Sequence, residues 1–373
     1  MMQAIFWSSA ALVLYVYAGY PLLLAVWARV SPRRVPPVPG AAPTPPVSIV
    51  IAVRNEAARL GARVENLLGL DYPGDRQVIV VCDGSTDDPA AALPADPRVE
   101  LVRQPARGKA AALNAGVARA RHDLLVFADA RQRFAPGALR ALAAPFRDPR
   151  VGAVTGELLL ASEPSVNRRR GVERRRGPGR APDGDRRRHD RRTAPSAVAD
   201  GVGLYWQYEK ALRRLESAIA STLGATGAIY AMRRSLWRPL PADTILDDVL
   251  APMRAVLDGS VVVFEDRAKA VDQAPAEPRT EMRRKIRTLA GNVQILWLEP
   301  RLLLPFVNPV WLQYVSHKLG RLLVPYGLAA LLVSSIVLAG DALLYAAALA
   351  AQLAFYALGG YGAWLSTRPA VTA

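Results

Sequence analysis

Val78-Ile79-Val80-Val81-Cys82-Asp83-Gly84-Ser85-Thr86-Asp87-Asp88 is the stretch from which the rest of the chain can be read. Four β-branched aliphatics run unbroken into Cys82, the pattern of a strand buried on both faces. The run then breaks into Asp-Gly-Ser-Thr-Asp, residues that favour turns and helix N-caps. An acidic loop at the carboxyl end of a buried parallel strand is where open α/β sheets bind ligands. Asp83 there can accept hydrogen bonds from a base or ribose; capping is the plainer role open to Asp83 and Asp87.

Other segments repeat the pattern. Val47-Ser48-Ile49-Val50-Ile51-Ala52-Val53 reads as a buried strand followed by Arg54-Asn55-Glu56, and 99–102 as a strand leading to Arg107-Gly108-Lys109. Asp123-Leu124-Leu125-Val126-Phe127-Ala128-Asp129 is a strand ending in a carboxylate. Helical composition is expected over 57–70 and 110–120. Further on come a strand at 151–160, an amphipathic helix at 205–220, and a glycine-rich turn, Gly224-Ala225-Thr226-Gly227-Ala228, entering a strand. A helix opening at Asp247-Asp248, a short strand at 261–264 and a basic helix at 281–295 follow. Strands alternating with helices predict an α/β fold, a mostly parallel sheet flanked by helices.

Hydrophobic residues make up 51% of the 373, and the excess sits at the two ends. Residues 5–27 carry no charge and are long enough to cross a hydrocarbon core of roughly 30 Å. Arg29, Arg33 and Arg34 follow, which places that end in the cytoplasm. Residues 31–46, rich in proline, read as a stiff linker. Residues 47–298 are expected to form one folded middle unit, 299–317 an interfacial segment, and 318–373 a transmembrane hairpin. The predicted location is thus the inner membrane, multi-pass, with the middle unit cytoplasmic.

The net charge is +16. Residues 165–195 hold twelve arginines against four acidic residues, a net of +8 and half the surplus. That segment, within an arginine-rich insertion at 163–200 expected to be disordered, has no interleaved aromatics, which argues against nucleic-acid binding and for a solvated loop near anionic membrane lipids. One cysteine and three histidines exclude disulfides and make a zinc cluster improbable.

In this order and spacing the motifs resemble the membrane-bound family 2 glycosyltransferases, the group that contains cellulose, chitin and hyaluronan synthases. The resemblance runs from about 47 to 297. It rests on Val53-Arg54-Asn55-Glu56, Asp83-Gly84-Ser85-Thr86-Asp87, Gly108-Lys109-Ala110-Ala111-Ala112-Leu113-Asn114, Asp129-Ala130, Gly224-Ala225-Thr226-Gly227-Ala228 and Asp247-Asp248. It implies a GT-A fold and inverting transfer from a nucleotide-sugar, most often a UDP-sugar, to a glycan or lipid-linked acceptor. Envelope-biosynthesis proteins are possible partners. By position, Asn55, Glu56, Asp83, Lys109 and Asp129 would form the donor site, with Asp129 also at a divalent cation (Mg2+ or Mn2+). Asp248, with Asp247, would be the base, and Gly224, Ala225, Arg284 and Arg287 would serve acceptor or diphosphate. Two departures stand out. The family's Asp-Ala-Asp reads Asp129-Ala130-Arg131, and the tryptophan expected after Arg287 is Thr288. The first is the main support for the alternative, an inactive GT-A membrane scaffold that binds nucleotide or anionic lipid.

Overall fold

In the computed structural model, which describes residues 1–32, 44–161, 197–273 and 278–367, the chain opens on a long apolar helix, α1 (Met2–Val30), and enters a sheet at β1 (Val47–Val53). The proline-rich segment over 33–43 and the arginine-rich insertion over 163–196 lie outside the described residues. Then follow α2 (Ala57–Leu68), β2 (Arg76–Asp83), β3 (Val99–Gln104), α3 (Lys109–Arg119), β4 (Leu124–Ala128), β5 (Arg133–Phe134), α4 (Ala138–Ala143) and β6 (Val151–Ala161). The second half contributes α5 (Ala197–Ile219), β7 (Ile229–Arg233), α6 (Asp247–Leu257), β8 (Val261–Gln273) and α7 (Pro278–Leu298).

The eight strands lie in the order β3-β2-β1-β4-β7-β6-β8-β5. The pairs β1–β2, β2–β3 and β1–β4 are parallel, as is β6–β8, while β7 runs antiparallel to both neighbours. Alternation along the strands builds two cores. Ile49, Ile51, Val78 and Val80 pack with Leu60, Val64 and Leu67 of α2 on one face. Val50, Ile79, Val81 and Phe127 pack with Leu113 of α3 and Met253 of α6 on the other. Both faces are therefore covered, which is why the central strands read as unbroken apolar runs rather than as alternations. From β1 the chain turns to one side for β2 and β3, then returns on the other for β4. The connections diverge there and leave a crevice outside the carboxyl ends of β1 and β4.

Two elements differ from their sequence reading. β8 runs to Gln273, well past the expected end at 264, because a register shift between Thr155 and Glu157 of β6 lets pairing resume at Glu157↔Lys269. Within this added half Ala268, Ala270 and Asp272 point inward and are buried. The other is α8 (Trp311–Leu338), which starts before the transmembrane hairpin expected from 318, taking in residues read as interfacial. Pro305 and Pro309 precede the helix rather than break it, and the Asn308 side chain accepts from the Val310 N–H at 3.0 Å to turn the chain into it. With α1 and α9 (Leu343–Thr367), α8 makes three described helices long and apolar enough to cross a membrane. α1 and α8 meet at Gly320 and Gly327, where a Cβ would lie 2.9 Å from Val16 and 3.1 Å from Leu12. Small residues there let the two backbones approach closely.

Candidate active site

The crevice is a cleft of about 330 Å³ lined by Ala52, Arg54, Glu56, Lys109, Asp129, Ala130, Arg131, Arg284 and Arg287. Five cationic side chains face two carboxylates in it. Arg54 and Glu56 leave β1, Asp129 and Arg131 leave β4, and Lys109 is the first residue of α3. Arg284 and Arg287 reach in from α7, 230 residues and more from β1.

Between the cleft and the carboxylate pair Asp247-Asp248 sits Lys109. Its Nζ lies 3.3 Å from Asp129 Oδ1 and 3.3 Å from Asp247 Oδ1, with the Asp247 side chain only 5% exposed. Burial alone would push the ammonium toward neutrality, but the charges of Asp247, Asp129 and Asp248 outweigh it and hold Lys109 protonated. Asp248 is raised to about 6, first by burial and then by the Asp247 charge, with Lys109 and the Gly227 N–H opposing. Its Oδ2 accepts from that N–H at 2.9 Å, and its other oxygen has no hydrogen bond to a described residue. The close approach needs a glycine, since a Cβ on Gly227 would lie 2.9 Å from Asp248 Oδ2. Asp247 is thus tied to an ammonium, whereas Asp248 keeps a free oxygen and raised basicity.

Asp83 is 4% exposed and satisfied by protein donors. Its Oδ1 takes Gln104 Nε2 at 2.9 Å and the Arg107 N–H at 2.8 Å, and its Oδ2 takes the Gly108 N–H at 2.9 Å. Burial pushes its carboxyl up, but these bonds win and hold it below the ordinary range. Gly108 has φ +92°, a conformation a side chain would strain, and it turns the chain so that Lys109 enters the cleft. Asn55 is also a loop tie. At φ +56°, a region Asn tolerates better than most residues, its Oδ1 accepts from the Thr86 N–H at 2.8 Å and its own N–H donates to Ser85 Oγ at 3.0 Å. Of the five expected donor residues, Glu56, Lys109 and Asp129 line the cleft; Asn55 and Asp83 brace the loops behind it.

The residues grouped for acceptor or diphosphate separate. Arg284 and Arg287 belong to the large cleft. Gly224 and Ala225 instead line a second cavity of about 40 Å³, with Arg213, Glu216, Val249, His317 and Lys318, towards the apolar helices. The Ala225 N–H donates to the Asp248 carbonyl at 2.7 Å, so Asp248 lies between the two cavities.

For a cation, this cleft offers the Asp129 and Glu56 carboxylates. Asp129 already holds the Lys109 ammonium, and Arg131 occupies the position of the family's second carboxylate. Among the described residues no three His, Cys, Asp or Glu side chains gather in a metal-holding group. That donor set fits a divalent cation poorly: such an ion draws water and phosphate oxygens to one or two protein carboxylates, and here Asp129 is already paired with an ammonium while position 131 supplies a cation in place of the second carboxylate.

Three contributors escaped the sequence reading. Arg54 lines the cleft, although in the sequence it is one member of the Val53-Arg54-Asn55-Glu56 motif with nothing to single it out. Asp272, at 6% exposed, accepts from Gln132 Nε2 at 2.9 Å and pairs with Arg131 Nη2 at 3.2 Å; the alternation Ala268, Ala270, Asp272 was the signal for it. Tyr230 is fully buried, stacked on Phe127 at 4.6 Å, and its hydroxyl has no partner among the described residues. Nothing in the sequence marked it out.

Residues 48–213 match the sequence profile described as Glycosyl transferase family 2. A beta-monoglucosyldiacylglycerol synthase of Synechocystis sp. is 33% identical over 147 residues, covering 36% of this chain and 31% of that protein. An N-acetylglucosaminyltransferase of Rhizobium meliloti is 31% identical over 159 residues, 38% of this chain and 37% of that one. The chain thus spans about a third of the length of these curated relatives. Among solved structures, a mannosyltransferase from Pyrobaculum calidifontis in complex with GDP-Man and Mn2+ has a TM-score of 0.70 at 21% identity, over 98% of this chain and 94% of that one. At that identity the likeness is one of fold. The matched segment runs from β1 into α5 and contains both carboxylates of the cleft, Glu56 and Asp129, so this segment is similar to glycosyl transferase family 2 domains, on a fold of the GT-A kind.

Proposed function

We propose that the chain is a membrane-bound, inverting glycosyltransferase that moves a sugar from a nucleotide-sugar, a UDP-sugar in the first instance, to a hydroxyl of a glycan or lipid-linked acceptor. The observation that carries this is Lys109 Nζ, 3.3 Å from both Asp129 and Asp247. One ammonium joins the basic cleft to the carboxylate pair. A bound diphosphate and an attacking hydroxyl would therefore be neighbours.

In this reading Arg54, Lys109, Arg131, Arg284 and Arg287 hold the diphosphate, with Glu56 and Asp129 accepting hydrogen bonds from donor hydroxyls. Asp248 takes the proton of the acceptor hydroxyl. The acceptor oxygen forms a bond to the anomeric carbon as that carbon's bond to the diphosphate oxygen breaks, and the configuration inverts. The proton ends on Asp248, and the electron pair leaves with the nucleoside diphosphate. Cationic groups fixed beforehand around that oxygen stabilise its growing charge, a large term in such reactions. Asp83 and Asn55 act as positioning residues through the loops they hold.

The three apolar helices support a site at a membrane. Arg29 after α1 and Lys318 with Arg321 in the first turns of α8 favour a cytoplasmic catalytic face. α7 supports the same arrangement. Met282, Ile286, Leu289, Val293 and Trp297 form one exposed apolar stripe, with Arg283 and Lys285 on its two flanks, as on a helix lying among lipid headgroups.

The test is to offer membranes containing the chain a panel of labelled UDP- and GDP-sugars. The expected result is release of nucleoside diphosphate and labelling of a glycan or lipid from one donor class. Absence of turnover with every donor, alongside retained nucleotide binding, would favour the scaffold.

A further inference from the structure

Arg131 stands where the resemblance leads one to expect an acid, and its surroundings are built for it. Its guanidinium opens on the 330 Å³ cleft while Nη2 pairs with Asp272 Oδ2 at 3.2 Å. Asp272 is itself fixed, taking Gln132 Nε2 at 2.9 Å, and Gln132 is 3% exposed. The two residues of β5, directly after Gln132, pair with β8 at Arg133↔Val271 and Phe134↔Ala270, next to Asp272. At the other end of the turn Arg63 Nε donates to the Asp129 carbonyl at 3.0 Å. The 129–132 turn is therefore clamped at both ends. With 39% of its side chain exposed, Arg131 can meet a ligand. A guanidinium held this way matches two phosphate oxygens in one plane.

Charge points the same way. The cleft sets five cationic side chains against two carboxylates, and Asp129 is shared with Lys109 at 3.3 Å. A divalent ion there would share Asp129 with an ammonium and gain no second carboxylate from position 131. A diphosphate, by contrast, meets a surplus of positive charge already in place.

We infer that Arg131, braced by Asp272, takes the part of a divalent cation, so that the chain binds the diphosphate of its donor without a metal ion. This rests on the nucleotide-sugar reading and specifies how that site neutralises its ligand. The experiment is calorimetric titration of the full chain, in lipid nanodiscs, with UDP and with GDP, in EDTA and again with Mn2+. Wild type is expected to bind one nucleotide with the same Kd, within about threefold, in both conditions. Arg131→Ala should weaken binding in EDTA on the order of ten- to a hundredfold, the usual range for a lost charge-assisted pair. Arg131→Asp, which recreates Asp-x-Asp, should lose binding in EDTA and recover it with Mn2+. Wild-type binding that appears only with Mn2+ overturns the inference, and that arm needs no variant to fold. Unchanged binding by Arg131→Ala in EDTA overturns it too. Binding of neither nucleotide in either condition removes the donor site itself, a different failure.

Discussion

The Lys109 ammonium acts on the Asp248 carboxyl, and that influence has a sign. A general base works only when deprotonated, so transfer should rise with pH through the value of about 6 to which burial and Asp247 lift Asp248. Lys109 pulls that value down. Removing its charge in Lys109→Met should move the rising limb of the kcat profile to higher pH, whereas Lys109→Arg should leave it nearer wild type. An unmoved limb in Lys109→Met would show that the ammonium does not reach the base. Asp83 answers to a different measurement. Asp83→Ala leaves the N–H groups of Arg107 and Gly108 without their acceptor, a loss of about 1–3 kcal/mol for a buried group. Chemical denaturation should register it, along with weaker donor binding as Lys109 loses its setting. The Asp83 contribution has the sign of a lowered carboxyl, present at neutral pH and lost on acidification through its folded value.

The glycine-rich turn before β7 and the start of α6 act as one element, because the Gly227 N–H fixes Asp248 and the Ala225 N–H fixes its carbonyl. Gly227→Ala would put a methyl 2.9 Å from Asp248 Oδ2 and push the carboxylate aside. The expected outcome is a fall in kcat with donor Kd almost unchanged; a loss confined to donor binding would place Asp248 on the wrong side of the site. Elements of this kind also show what a sequence discloses. β1, β2 and β4 were legible because burial on both faces demands unbroken apolar residues; the ends of β1 and β4 pointed to Glu56 and Asp129, and the loop after β3 to Lys109. The two residues of β5 carry no periodicity. The far half of β8 mixes charged and apolar residues, and it is recognisable only once β6 supplies its partner. The Arg131–Asp272 pair, 141 residues apart, depends on both, so only the structure could join it. Asp83 was legible as a ligand-loop residue but not as a satisfied one, since its three donors lie more than twenty residues away.

Across the whole molecule, the catalytic unit is bolted to the apolar helices by a buried polar cluster. Glu216 of α5, 1% exposed, accepts from the Tyr20 hydroxyl of α1 at 2.8 Å and lies 2.6 Å from His317 Nδ1 of α8. Glu209, two turns before Glu216, pairs with Arg321, one turn after His317. Removing Glu216 strands two buried partners at once, a loss on the order of 3 kcal/mol. Glu216→Ala should therefore lower the thermal midpoint in detergent, and Glu216→Gln, which keeps an acceptor, should lower it less. Equal midpoints for wild type and Glu216→Ala would mean the junction contributes little to stability. Asp248 lies between the large cleft and the small cavity on the side of this cluster. The most direct measurement is single-turnover transfer by Asp248→Asn beside wild type, with donor Kd determined on the same preparations. Donor affinity should match wild type while transfer slows by about a hundredfold or more, the usual worth of a general base. Transfer by Asp248→Asn at the wild-type rate would contradict it.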